Sequence, residues 1–407
     1  MRIGILREGK MPPDRRVPLT PKHCSEVQHQ YTHVKILVQP SAERCYSDDE
    51  YRNAGIKVSE DLSGCDVLFG VKEVPPGDLI PGKTYLFFSH TIKKQEYNRL
   101  LLQTILRKNI RLIDYELLTD DEGFRIIGFG RFAGIVGAYN GIRALGLRKG
   151  TFSLKPAHEC ENLDELLLQL KDIKPDPIKI ALTGNGRVAN GTIEVLDALK
   201  MGRLHPEAFK KMITPDRPYY TQLLPEHYAK RMDGSPFNLV HFFEYPEQYE
   251  NAFLPYAGSA DLLISAAYWD PKAPVLFTKE QMRHPDFRIK IISDITCDIE
   301  GSIPSTKRPA TIDAPFYDYN PDTGELEPPF HSEKNITVQA VDNLPNELPK
   351  DASEDFGRNL IDKVFPVLLN AGEGDIIDKA TIAKDGALAS RFTYLHEFAE
   401  SNSLKNA

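Results

Sequence analysis

Apolar residues in this chain come in short runs, separated by turn residues and by stretches with helical periodicity. Residues 2–6, 34–38, 66–72, 84–90 and 111–116 each carry a nearly continuous apolar run. Strands buried on both faces read this way. Between them, Thr20 is placed to cap a helix begun by Pro21, Ser47 to open a short helix over 48–54, and residues 94–108 to form a third. Strand and helix alternate up to about residue 130, which predicts an α/β sheet.

The second half repeats the alternation with one difference. Residues 128–147 are rich in small residues and helix-periodic after Phe132, and read as a long helix linking two domains. An amphipathic helix over 161–175 follows. Further apolar strands fall at 178–182, 261–267, 289–295 and 336–341. Residues 203–260 are rich in Pro, Tyr and charge and show few clear elements, while 352–369 and 376–402 read as helical. The expected fold class is α/β with two sheets, and the default place for an active site is a cleft between the domains that carry them.

The difference is the stretch IKIALTGNGRVANG at residues 178–191. Strand, glycine turn and helix follow in the order a dinucleotide-binding fold needs. Gly184 permits the tight turn, Gly186 lets the backbone approach a pyrophosphate, and Gly191 is expected to seat the helix on the strand. The helix N-terminus offers unpaired N–H groups to phosphate. Gly184, Asn185, Gly186, Arg187 and Val188 are therefore candidate cofactor-binding residues. The glycine spacing is wider than G-x-G-x-x-G, so a ligand-free turn is the competing reading; the flanking strand and helix favour the cofactor. The group reading the adenine ribose is expected about 20 positions further on, around Arg203-Leu204-His205-Pro206-Glu207. Arg203 and His205 lean toward a 2′-phosphate and hence NADP; Glu207 would instead serve the 2′-hydroxyl of NAD.

Composition narrows the class. The 407 residues leave room for two domains, and 41% hydrophobic with 27% charged residues is ordinary for a soluble globular protein. With 50 Lys+Arg against 58 Asp+Glu, a net charge of -8 and no dense basic patch, nucleic acid is not an expected partner. The N-terminus is strand-like and unlike a signal peptide, and no apolar run approaches a membrane span. Cys24, Cys45, Cys65, Cys160 and Cys297 are scattered, with neither metal nor disulfide spacing, which suits a reducing cytoplasm. No metal is expected.

The candidate chemistry sits at strand ends, where ligands gather in open α/β sheets. Lys72 and His90 close two predicted strands at the same rim. Alone, Lys72 reads as a surface lysine and His90 as a structural hydrogen-bonder. Together they make an acid/base pair, since a desolvated lysine loses basicity and histidine titrates near neutrality. Glu73 and Glu116 are placed to moderate that pair, or are solvated carboxylates. Arg16 offers a fork for a substrate carboxylate, with Arg15 beside it. Asp298, past the strand that ends at Asp294, reads as a polar group near the nicotinamide ribose or as a turn cap.

Several long motifs in order carry a resemblance: Arg16-Val17-Pro18-Leu19-Thr20-Pro21, Gly70-Val71-Lys72-Glu73, Phe88-Ser89-His90-Thr91-Ile92-Lys93, Arg111-Leu112-Ile113-Asp114-Tyr115-Glu116, Phe129-Gly130-Arg131-Phe132-Ala133-Gly134, Asp294-Ile295-Thr296-Cys297-Asp298 and Asp342-Asn343-Leu344-Pro345. With these the chain resembles the lysine-forming saccharopine dehydrogenase and lysine–ketoglutarate reductase family, and more distantly the alanine dehydrogenases and the N-terminal part of nicotinamide nucleotide transhydrogenase. The resemblance implies two Rossmann-like domains. A discontinuous substrate and catalytic domain spans 1–137 and 351–407, completed by the C-terminal helices, and a dinucleotide domain spans 138–350. It implies that Lys72 and His90 are the catalytic acid/base pair and that Arg16, Glu73 and Glu116 serve the substrate side. Asp298 and Asn343 are implied near the nicotinamide of NAD or NADP. The implied reaction joins lysine to 2-oxoglutarate as saccharopine, or reverses this, on small-molecule substrates. The saccharopine-hydrolysing half of the bifunctional relatives has no counterpart here, so the reductase step alone is expected. An alanine dehydrogenase-like enzyme and a catalytically silent dinucleotide sensor are the competing readings.

Overall fold

The computed structural model describes residues 1–171, 173–369 and 375–400. The chain divides into two units, Met1–Phe129 with Pro349–Ala407, and Gly130–Leu348. Each is built on an eight-stranded sheet in which parallel pairing dominates.

In the first unit, β1 (Arg2–Ile5), β2 (Lys35–Val38), β3 (Lys57–Val58), β4 (Val67–Phe69), β5 (Thr84–Phe87) and β6 (Arg111–Asp114) are all parallel. They lie in the order β6-β5-β4-β1-β2-β3. Ile3, Ile5, Leu68, Phe69, Leu86 and Phe87 are buried, as the unbroken apolar runs require. The strand order reverses at β1, so the loops leaving β1 and β4 open a crevice at the carboxyl edge. Thr20 does cap the helix Pro21–Gln30, accepting from the His23 amide at 3.2 Å, and Ser47 with Glu50 forms a capping box.

Two expectations for this unit fail. The helix over 94–108 begins only at Arg99. Before it the chain makes two single 3₁₀ turns, Thr91–Lys93 and Glu96–Asn98, with Lys94 left-handed at φ 52°. Residues 376–402 are not one helical segment. The helix Asp375–Ala380 gives way to a strand, Thr381–Lys384, that pairs antiparallel with β6. That strand turns back as Ala387–Leu388 through Asp385 and Gly386, at φ 53° and 75°. Asp-Gly with both φ positive is the preferred two-residue hairpin turn, and it was the signal to read. Residues 401 and 402 lie outside the described residues.

The second unit opens with the long helix Gly130–Lys149. The helix expected over 161–175 spans Leu163–Lys171, and residue 172 lies outside the described residues. Strands β7 (Lys179–Thr183), β8 (Gly202–Arg203), β9 (Tyr219–Leu223), β10 (Leu262–Ser265), β11 (Ile291–Asp294), β12 (Phe316–Tyr319), β13 (Leu326–Glu327) and β14 (Ile336–Gln339) follow. Their order is β13-β12-β14-β11-β10-β7-β9-β8, with β12 antiparallel to both its neighbours. The stretch 203–260, featureless in the sequence, thus supplies β9. It also carries a small hairpin, Ala229–Arg231 with Tyr249–Asn251, and the helix Leu239–Glu244. Among the described residues no helix is long and apolar enough to cross a membrane.

Candidate active site

At the carboxyl edge of the first sheet, the loop after β1 meets the loop after β4. The Glu8 carboxylate accepts from the Val71 and Lys72 amides at 2.7 and 2.8 Å. The Gly70 amide still donates to the Leu86 carbonyl at 3.0 Å, and the two amides after it turn from the sheet to this side chain. Burial, reinforced by Asp14, pushes the Glu8 carboxyl up to about 8, against its two amide donors and Arg16. Glu8 was not singled out in the sequence, although it follows β1 just as Lys72 follows β4.

Lys72 is largely withdrawn from water, and its ammonium makes no hydrogen bond or ion pair among the described residues. Burial, with Arg16 and Lys10 adding to it, lowers its pKa below the usual lysine value. A larger neutral fraction near neutrality follows. His90 is left-handed at φ 52°, and its ring stacks on Phe88. A non-glycine residue held there stores strain that the surroundings must compensate. Its Nδ1 lies 2.5 Å from Glu73 Oε1. Burial pushes the Glu73 carboxyl up, but the hydrogen bond and charge of His90, with Lys10, outweigh it and hold the group down at about 2. With Glu73 ionised, Nδ1 carries the proton and Nε2 is the free working nitrogen. Glu73 also faces Lys10 Nζ at 3.4 Å.

Arg16 is only 3% exposed. Asp14 takes its Nε and Nη2 at 2.9 and 2.5 Å, and the guanidinium lies 4.1 Å over the Phe129 ring. The fork read from the sequence is therefore occupied by Asp14 along one edge, through Nε and Nη2. Because the pair is buried, Arg16→Ala is expected to destabilise the chain by about 3–5 kcal/mol by removing the charge that faces the buried Asp14 carboxylate. Urea unfolding measures this, and Arg16→Lys is the substitution to use for kinetics.

The Glu116 carboxylate is engaged by Arg125 at 3.0 Å and Lys93 at 3.4 Å, and among the described residues it makes no hydrogen bond or ion pair with Lys72 or His90. Asp114 lies between these groups, accepting from the Glu116 amide at 2.8 Å and from the Ser89 hydroxyl. Burial pushes Asp114 up to about 6, although Ser89 and the Glu116 amide oppose it. The rim thus gathers Lys72, Glu73, His90 and Arg16 into one cluster with Glu8, Lys10 and Asp14.

In the second unit, Gly184 leaves β7 at φ 92°, where an added Cβ would meet the Ala266 carbonyl oxygen at 3.0 Å. Its carbonyl accepts from Gln222 Nε2 at 2.9 Å. Gly186 caps the helix Arg187–Ala198 with extended backbone, and the space where its Cβ would stand is open. Gly184, Asn185, Gly186, Arg187 and Val188 line a cavity of about 490 Å³. That is within the usual range of ligand sites, and the residues present fit a dinucleotide phosphate at the helix N-terminus.

Gly191 does something other than expected. An added Cβ would strike the Arg131 carbonyl oxygen at 2.0 Å, and one on Gly134 the Val188 carbonyl oxygen at 1.9 Å. It seats helix against helix, not helix on strand. The small residues at 130, 134, 137 and 141 share one face of the long helix, and that spacing was the available signal.

Asp298 and Asn343 follow β11 and β14 at the same sheet edge but do not line this cavity. Asp298 is exposed, beside Cys297 and Glu300 at φ 53° and 50°. Around the expected ribose region, the strand beside β7 is β9, whose following segment begins at Leu224; Arg203 stands one strand further out, donating to Gln222 at 2.6 Å.

Comparison with known proteins follows the same division. The chain matches the family model described as "Alanine dehydrogenase/PNT, N-terminal domain" over residues 4–136. The matched segment holds the strand ends that carry Lys72 and His90. Over 98% of its length the chain is 31% identical to "Alpha-aminoadipic semialdehyde synthase, mitochondrial" of Rattus norvegicus, of which it covers 48%. It therefore spans about half the length of the curated relatives of that kind. It is 24% identical to "Saccharopine dehydrogenase [NAD(+), L-lysine-forming]" of Emericella nidulans, covering 88% of this chain and 89% of that one. A solved L-alanine dehydrogenase superposes with a TM-score of 0.65 at 15% identity, over 97% of this chain and 99% of that one. The family's N-terminal fold is thus followed by a Rossmann-type sheet of the same overall plan.

Proposed function

We propose that this chain is a pyridine-nucleotide-dependent oxidoreductase acting on CH–NH donors. The reaction is lysine + 2-oxoglutarate + NAD(P)H + H⁺ giving saccharopine + NAD(P)⁺ + H₂O, or its reverse. The observation that carries this is the cluster in which a partly desolvated, unpaired Lys72 stands with a Glu73-held His90. The similarity to proteins named for saccharopine chemistry supports the choice of substrate.

Joining an amine to a keto acid and reducing the product needs two proton movements around one hydride transfer. The neutral fraction of Lys72 takes a proton from the attacking amine nitrogen. His90, held through Nδ1 by the Glu73 carboxylate, gives a proton from Nε2 to the departing hydroxyl. Arg16 fixes a carboxylate of the keto acid, and such fixing is where much of the rate gain arises. Residues 184–188 would hold the dinucleotide, which supplies the hydride. Substrate and proton transfers are assigned to residues of the first unit, and the dinucleotide to the second, with Asp298 and Asn343 on its nicotinamide side.

The test is a substrate panel read by NADH and NADPH oxidation. Turnover is expected with lysine plus 2-oxoglutarate. Turnover with pyruvate and ammonia alone would move the chain to the alanine dehydrogenase reading, and dinucleotide binding without any turnover to the silent sensor.

Cofactor choice has its own test. Glu226 lies in the short helix Pro225–Tyr228 that follows β9, and Arg203 on the edge strand beyond it. Glu226→Ala is expected to change the NADH-to-NADPH ratio of kcat/KM by about tenfold, roughly one hydrogen-bonded carboxylate. Arg203→Ala is expected to leave the ratio within about twofold, as a side chain without ribose contact should.

A further inference from the structure

We propose that the segments after β9 and β10 form an aromatic clamp for the adenine ring of the dinucleotide. This assignment rests on the dinucleotide reading above and adds the half of the ligand that the glycine turn does not address.

The cavity of about 490 Å³ has two unlike walls. One is the glycine turn. The other comes from the segment after β9, with Pro225, Tyr228, Ala229, Phe242, Phe243 and Pro246, none of them charged. Tyr268 and Trp269, after β10, extend it, with Asp270 next in the chain as the one carboxylate of the lining. Phe242 is buried in a small cluster with Ala229 and Tyr249, which anchors the helix Leu239–Glu244 over the site. The next residue, Phe243, is 67% exposed, and Tyr268 is 85% exposed, although both line the cavity. Two flat rings left bare at the mouth of an apolar cavity present surface that a planar base would cover.

Topology says which end of the ligand this is. A dinucleotide lies across the carboxyl edge of its sheet with the pyrophosphate at the first glycine turn. β9 flanks β7 on one side, whereas β11 and β14, whose loops carry Asp298 and Asn343, lie on the other. With the nicotinamide toward β11 and β14, the adenosine end falls on the β9 flank, against the uncharged aromatic wall. Adenine carries no charge at neutral pH and offers two apolar faces, which matches that wall.

The chain carries its own reporter. Trp269 is the single tryptophan, and its Nε1 donates to the Ala273 and Pro274 carbonyls at 3.2 and 3.3 Å, fixing the ring at the cavity. The full chain is titrated with NADH, NADPH and ADP-ribose, reading Trp269 emission, with calorimetry as a second measurement. Phe243→Ala with Tyr268→Ala is expected to weaken the dinucleotide and ADP-ribose alike by roughly tenfold or more, the scale of losing base–aromatic stacking. Phe243→Tyr with Tyr268→Phe is expected to stay within about twofold. Both positions are largely exposed, so the fold should survive, and a thermal melt checks this. Unchanged affinity of the double alanine variant overturns the clamp while leaving the dinucleotide reading intact. Loss of NADH or NADPH affinity with ADP-ribose unchanged also overturns it, since the rings would then serve the nicotinamide half. Failure of the unaltered chain to bind either dinucleotide overturns both.

Discussion

Lys72→Met and His90→Gln are each expected to lower turnover about 10²- to 10⁴-fold, the contribution of one positioned acid or base. For Lys72→Met the melting temperature should change little, because the Lys72 ammonium has no internal partner to lose. The pH profile tests the role of Lys72. In the reductive direction Lys72 must be neutral, so its lowered pKa brings a limb that rises with pH. Lys72→Met should therefore erase the rising limb. Glu73 is held at about 2 and stays ionised across the assay range. Its contribution to stability is present above the ordinary carboxylate pKa and is lost only as pH falls through about 2. If both variants keep the parental profile and rate, the acid/base assignment is wrong.

Gly134→Ala and Gly191→Ala are expected to be the most damaging single substitutions in the second unit. The added methyl would sit 1.9 or 2.0 Å from a backbone carbonyl oxygen of the facing helix. Neither obstacle is the end of a flexible side chain, so the helices Gly130–Lys149 and Arg187–Ala198 must move apart. Overpacking ordinarily costs about 1–3 kcal/mol, and the upper end or more is expected here. The two should not add, since one separation relieves both clashes. Shifting the second helix also shifts the N-terminus beneath Gly186, so dinucleotide affinity should fall as well. Urea unfolding and NADH titration measure the two effects. A loss below about 1 kcal/mol would mean that the close crossing is not a constraint.

What the sequence revealed followed what is local. Apolar runs marked the core strands because strands buried on both faces leave no other pattern. Lys72 and His90 were found because ionisable residues stand out after such runs. What stayed hidden depended on pairing between distant segments. β9 inserts between β7 and β8, against chain order, so the segment after Leu223, and not Arg203, follows the strand beside β7. The Asp14–Arg16 pair was missed because a charge two residues away gives no sign of whether it turns toward its neighbour. Glu116 was grouped with the catalytic pair from its place at a strand end; that Arg125 and Lys93 hold its carboxylate was hidden, because both come from other segments. The aromatic wall after β9 lay in the stretch whose elements could not be read, because its strands are three residues long and its helix six.

The most direct test is the product itself. Purified chain is incubated with lysine, 2-oxoglutarate and NADH or NADPH, and the mixture is analysed by mass spectrometry beside dinucleotide consumption. Saccharopine formed in one-to-one ratio with dinucleotide oxidised, and abolished by Lys72→Met, is the predicted result. Dinucleotide oxidised with no lysine incorporated into the product, or saccharopine formed equally well by the variant, would contradict it.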